Sequence, residues 1–152
     1  MIRKIQQFIE NKNLFSKDNN LLLAISGGAD SVCLFIVLYE LGYKIELAHC
    51  NFNLRGKDSD KEERFVKDLS NKYGVRYHVK SFETKKYANT ENVSIQMAAR
   101  DLRYKWFDEL LAKSGVGSGP PCTFRETADV ICKIAFKMFL NVLSCFQIAY
   151  ST

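Results

Sequence analysis

The sequence predicts an α/β domain: an open parallel sheet with helices on both faces. Three observations predict it. Stretches that read as strands occur at residues 21–25, 44–52 and 75–82, and each is followed by a stretch suited to a helix. The first of these, Leu21 to Ile25, is continuously apolar, as expected of a strand covered on both faces. Strand and helix alternate in the order β-α-β-α-β-α, the pattern that makes parallel strands joined by crossover helices.

Taken in order, Ile2, Ile5, Phe8 and Ile9 recur at helical spacing, so residues 2–12 read as a short amphipathic helix, broken by "SKDNN". After the first strand, Val32, Leu34, Phe35, Leu38 and Leu41 trace a second helix, closed by Gly42. "KIELAHCNF" is the second strand. The polar loop "NLRGKDSD" leads to a helix expected to start at Ser59, with Glu62 completing a capping box and Phe65, Val66 and Leu69 facing the core. Gly74 ends it, and "VRYHVKSF" is the third strand. "ETKKYANTENV" reads as irregular. Ser94 then caps a helix whose Ile95, Ala99, Leu102, Trp106 and Leu110 share one face.

The character changes after Lys113. "SGVGSGPP" is a turn-rich spacer, and the remaining residues fit one amphipathic helix. Residues 130–150 are long enough to cross a bilayer, but Lys133 and Lys137 would each cost roughly 2.5–3.5 kcal/mol near its centre. A helix in water or on a membrane surface is therefore preferred. The expected division is residues 1–113 as one domain and 114–152 as a divergent tail.

The 152-residue length suits a single modest domain, and a net charge of +5 is a weak bias toward anionic partners. The N-terminus lacks the pattern of a secretory signal. The five cysteines (Cys33, Cys50, Cys122, Cys132 and Cys145) are odd in number and form no CxxC pair. A cytoplasmic protein with reduced thiols is expected.

The stretch that carries chemistry is Ser26-Gly27-Gly28-Ala29-Asp30-Ser31, placed between a buried strand and a helix. Such a loop lies at the carboxyl edge of the sheet, where the helix N-terminus offers unpaired N–H groups and partial positive charge. Gly27 and Gly28 allow successive amides to turn toward one phosphate, and Ser26 and Ser31 add hydroxyls. Asp30 would repel phosphate unless a cation lies between them, which gives it a magnesium-bridging role. The plainer alternative is that Ser26 or Asp30 caps the helix while the glycines make the turn. No GxxxxGK[ST] motif occurs, and no GxGxxG follows a strand.

"SGGADS" after an apolar strand resembles the pyrophosphate loop of the N-type ATP pyrophosphatases. "AHCNFNLRGKDSDKEERFVKDL" followed by "SIQMAARDLRYKWFDELL" is similar to the bacterial tRNA(Ile)-lysidine synthetases. The likeness runs over about residues 2–113. It implies an adenine nucleotide alpha hydrolase-like, Rossmann-like sheet. It also implies a ligase that uses ATP and Mg²⁺ to adenylate C2 of the wobble cytidine in tRNA(Ile) with a CAU anticodon. Free L-lysine then displaces AMP to form lysidine.

Carried over by position, Ser26, Gly27, Gly28, Ala29, Asp30 and Ser31 would hold the ATP phosphates, with Asp30 at the metal. Ala48, His49 and Asn51 would lie along the adenosine. Arg100 and Arg103 would face the mouth of the site and neutralise phosphate or steady the tRNA. Read without the resemblance, His49 is a strand-end histidine with a hydrogen-bond partner, and both arginines are solvated helix charges. Arg55 and the Lys85-Lys86-Tyr87 cluster are of a kind that meets RNA or simply meets solvent. Cys33 and Cys50 read as small buried residues.

The family pattern continues with a fourth strand and a His-x-x-Asp-Asp segment. Neither occurs after residue 113, so the sheet is expected to be incomplete on its C-terminal side and the chain to be a truncated or frameshifted form. The alternatives are a tRNA thiolase of the same superfamily and a non-catalytic ATP-binding fragment.

Overall fold

The computed structural model of the chain describes residues 2–114. In order these form α1 (Ile2–Asn11), β1 (Asn20–Ala24), α2 (Ala29–Glu40), β2 (Lys44–Asn51), α3 (Lys57–Tyr73), β3 (Arg76–Ser81), α4 (Thr84–Glu91) and α5 (Ile95–Ser114). The three strands are parallel in the order β1-β2-β3, with Leu23 opposite Leu47 and His49 opposite Val79.

Side-chain alternation splits the core in two. Leu23, Ile25, Ile45 and Leu47 point to one face, where Ile5 and Ile9 of α1, Phe35 and Leu38 of α2 and Val66 of α3 cover them. Leu22, Ala48 and Phe82 belong to the other face, under Trp106 and Phe107 of α5. Leu22 and Leu23 of β1 are buried on opposite faces, which is why the middle of the strand has no place for a polar residue. Each fully buried side chain of this size contributes about 1.5–3 kcal/mol. The predicted α/β sheet with helices on both faces is the architecture found.

Local signals hold at most helix ends. Leu41 caps α2 and Gly42 follows it in the left-handed region, with Tyr43 N–H returning to the Leu38 carbonyl. Ser94 accepts the Met97 N–H at 3.2 Å, the cap expected for α5.

Four local readings need correction. α3 starts at Lys57 behind Gly56, without a side-chain cap, so the Ser59–Glu62 capping box does not form. Ser59 Oγ instead accepts the Arg55 N–H. Phe65 is 46% exposed although its helical spacing placed it with Val66, because only one side of α3 meets the sheet. Ile95 is likewise exposed, and Ala98 is fully buried in its place. Finally, residues 84–91 form α4 rather than irregular chain. Its sequence lacks an apolar stripe; tertiary anchors hold it instead, with Thr84 Oγ1 donating to the Phe52 carbonyl at 2.9 Å and Ala88 buried.

The spacer and amphipathic helix expected of the tail fall outside the described residues. Among the described residues no helix is long and apolar enough to cross a membrane.

Candidate functional site

β1 stops at Ala24 and α2 begins at Ala29, so the intervening turn sits at the carboxyl edge of the sheet. Gly27 has φ +88°, a conformation that side chains strain. A Cβ there would lie 3.5 Å from Glu62 Cβ and 3.6 Å from Val66 Cγ2. α3 is therefore packed directly behind the turn.

Gly28 is the N-cap of α2 and makes no side-chain cap hydrogen bond. Neither Ser26 nor Asp30 is the N-cap residue, although Ser26 Oγ accepts the N–H of Gly28. Val32 N–H bonds the Gly28 carbonyl, so Ala29, Asp30 and Ser31 contribute the first-turn amides that an α-helix leaves without an intrahelical acceptor.

The two serines brace the turn through one another. Gly28 N–H donates to Ser26 Oγ at 3.2 Å, and Ser31 Oγ donates to the Gly28 carbonyl at 2.9 Å. The hydroxyls are 3.2 Å apart. Because the Ser31 proton is used at Gly28, Ser26 is the donor between them. Ser31 Oγ also accepts the Ser26 N–H at 3.3 Å. Asp30 stands exposed in the first turn of α2.

The end of β2 forms the adjoining wall. Ala48, His49 and Asn51 are buried, at 1%, 2% and 3% exposure. The Ala48 carbonyl accepts the Ile25 N–H at 2.9 Å. His49 Nδ1 is 2.9 Å from the Ile25 carbonyl. Asn51 donates to Glu63 of α3 at 2.8 Å and accepts the Asn53 N–H at 3.0 Å. The structure thus brings residues 25–31 and 48–51, distant in sequence, to one edge.

Arg103 of α5 lies on the other face of the sheet, its guanidinium 5.2 Å from the centroid of Phe52, the residue after β2. Arg100 lies over Tyr104 at 5.6 Å. Both are exposed. Burial pushes the Cys50 thiol up to about 12, against an opposing pull from Arg103 and Lys80. Cys33 and Cys50 are half-buried rather than fully buried.

Arg55 is 3.9 Å from Glu62 and largely exposed. In the Lys85-Lys86-Tyr87 cluster, Lys86 pairs with Glu83 at 3.4 Å and Tyr87 Oη accepts a hydrogen bond from Lys105 at 2.8 Å. These contacts give that cluster an intramolecular role.

Sequence reasoning gave Glu62 a cap and Val66 a core position, and it missed the place of both, and of Glu63, at the site. The first two back the turn and the third braces Asn51. Their four-residue spacing shows that Glu62 and Val66 share a helix face. Nothing local says that this face meets the turn.

Among the described residues no group of three or more His, Cys, Asp or Glu is placed to hold a metal ion. A cation here would have one carboxylate, Asp30, and would need phosphate oxygens for the rest of its shell. Mg²⁺ is commonly held that way, through one or two carboxylates and a substrate's phosphates, so the donor set fits it.

The PP-loop domain, an ATP-binding family, matches residues 1–118. The tRNA(Ile)-lysidine synthase of Bacteroides thetaiotaomicron is 50% identical over 113 residues, 74% of this chain and 26% of that protein. Its counterpart in Parabacteroides distasonis is 45% identical over 115 residues, 76% of this chain and 26% of that protein. The Clostridium tetani enzyme is 35% identical over 117 residues, 74% of this chain and 25% of that protein. The chain spans about a quarter of the length of these curated relatives. The matched span contains all three strands, the glycine turn and the helix packed behind it, and with them this chain belongs to the PP-loop domain family.

Proposed function

We propose that residues 1–113 form the ATP-binding part of a cytoplasmic tRNA(Ile)-lysidine synthase-type ligase, with 114–152 as a separate segment. The observation that carries this reading is the start of α2. Its N-cap has no side chain to close it, its first-turn amides lack intrahelical acceptors, and paired serines hold the preceding turn. That arrangement suits a polyphosphate.

In this reading Ser26 to Ser31 cradle the phosphates, and Asp30 meets them through Mg²⁺, which supplies charge neutralisation when bound. Backbone groups at the end of β2, Ala48 to Asn51, border the adenosine, while the His49 ring turns back to the Ile25 carbonyl. Arg100 and Arg103 serve the tRNA or the developing phosphate charge. The chemistry asks the protein to hold the α-phosphate of ATP against C2 of the wobble cytidine in tRNA(Ile) with a CAU anticodon. Oriented amides and arginines then spread the charge as pyrophosphate leaves. Lysine attack on the adenylated base releases AMP and leaves lysidine.

A thiolase of this superfamily wants a CxxC or a paired catalytic cysteine, and the five cysteines of the sequence form no CxxC pair.

The deciding experiment mixes the full chain with Mg-ATP, L-lysine and unmodified tRNA(Ile) with a CAU anticodon, and follows AMP and pyrophosphate. Release that requires both lysine and this tRNA supports the ligase reading. ATP binding without release reduces it to a nucleotide-binding unit. Absence of ATP binding overturns it.

A further inference from the structure

We infer that His49 is a positioning residue of the phosphate turn, acting through Nδ1 on the peptide that opens the turn rather than on the nucleotide. The inference rests on the reading of that turn as the ATP site.

The Ile25 carbonyl and the Ser26 N–H belong to one planar peptide unit. His49 Nδ1 holds the carbonyl end at 2.9 Å, and Ser31 Oγ holds the N–H end at 3.3 Å. Ile25 N–H, one bond sequence earlier, is tied to the Ala48 carbonyl at 2.9 Å. The peptide entering the turn is thus fixed at both ends, just before Gly27 takes its φ of +88°. The orientation of that plane sets where the following amides point, so a loosened plane misdirects the whole cradle.

The ring supplies what a backbone rung would supply if the strand continued. β1 ends at Ala24, and the His49 side chain extends the tie between the two strands past that point while the chain turns away. A carbonyl only accepts, so Nδ1 carries the ring proton in this bond, and the tautomer is fixed by the contact. With 2% of its surface exposed, His49 has almost no area left for a ligand, and water cannot take its place at the carbonyl.

Amide substitutions separate the two ring nitrogens. The amide nitrogen of asparagine stands as many bonds from the backbone as Nδ1, and that of glutamine as many as Nε2. Binding of Mg-ATP to the full chain is measured by calorimetry for the parent, His49→Asn and His49→Gln. The expected result is about tenfold weaker binding for His49→Gln, with asparagine restoring affinity to within about threefold of the parent. Equal affinities, equal losses, or rescue by glutamine instead of asparagine would each overturn the inference.

Two readouts do not depend on nucleotide. His49 and His78 are the only histidines in the sequence, so nitrogen-15 spectra of the imidazoles resolve them with one control substitution at His78. The parent is expected to show the Nδ1–H tautomer at His49, and an Nε2–H tautomer overturns the inference whatever the variants do. Exchange of the Ser26 amide should be faster in His49→Gln than in His49→Asn, by about tenfold. If the parent fails to bind Mg-ATP, the functional reading falls, while the tautomer and amide exchange still decide the role of His49.

Discussion

Two junctions of the same kind lie at the carboxyl edge of the sheet, β1 into α2 and β2 into α3. Each helix starts behind a glycine N-cap that makes no side-chain cap hydrogen bond, Gly28 in one case and Gly56 in the other. Their first turns differ. α2 carries one acid there, Asp30, whereas α3 carries Asp58 and Asp60. Those two carboxylates answer the partial positive end of α3 from within the chain and repel an incoming anion. Ser59 is buried and accepts the Arg55 N–H, while Ser31 works inside the turn with Ser26. The backbones differ as well: Gly28 is extended at φ −73°, ψ 156°, whereas Gly56 has φ 53°, ψ −121°. The proposed anion cradle and the self-satisfied helix start are thus told apart both by backbone and by which groups already answer the helix dipole.

The largest expected effect separates the two glycines. Gly27→Ala and Gly56→Ala both force a side chain into positive φ and should each lower stability by about 1–2 kcal/mol, measured by denaturant unfolding. Only Gly27→Ala should abolish Mg-ATP binding, because leaving φ +88° there re-aims the amides of the proposed phosphate turn. Loss of binding in both variants would erase the distinction drawn between the junctions.

Next come the acids. Asp30→Asn should weaken ATP binding about tenfold in Mg²⁺ and strengthen it when the metal is chelated, since the carboxylate helps only through the cation. Asp58→Asn should change neither, and calorimetry with and without chelator reads both. Unchanged affinity for Asp30→Asn under both conditions would remove Asp30 from the site.

Smaller effects follow at the hydroxyls. Ser31→Ala should cost about 1 kcal/mol of stability and about fivefold in ATP affinity, whereas Ser59→Ala should cost only stability. The smallest expected change is at a cap with no link to either junction. Ser94→Ala should lower stability by about 1 kcal/mol and leave nucleotide affinity alone, as read by thermal unfolding beside the binding assay.

The turn itself was legible in the sequence, since Ser26-Gly27-Gly28-Ala29-Asp30-Ser31 between an apolar strand and a helix is a local pattern with a local cause. His49 was legible as a residue but not as a brace, because its partner at Ile25 is 24 positions away. α4 was not legible at all: its eight residues are mostly polar and carry no apolar stripe, and its anchors at Phe52 and α5 come from elsewhere in the chain.

By itself the sequence determined the order of the three strands and of every described helix except α4, the helix stops at Gly42 and Gly74, and the place of the first turn between strand and helix. Those follow from backbone preference and hydrophobic period, which act between near neighbours. Only the tertiary structure decided that α3 backs Gly27, that Asn51 leans on Glu63, and that Arg103 lies over Phe52 across the sheet. Such contacts arise when the parallel register brings strand ends together, and no short stretch of residues encodes that register alone.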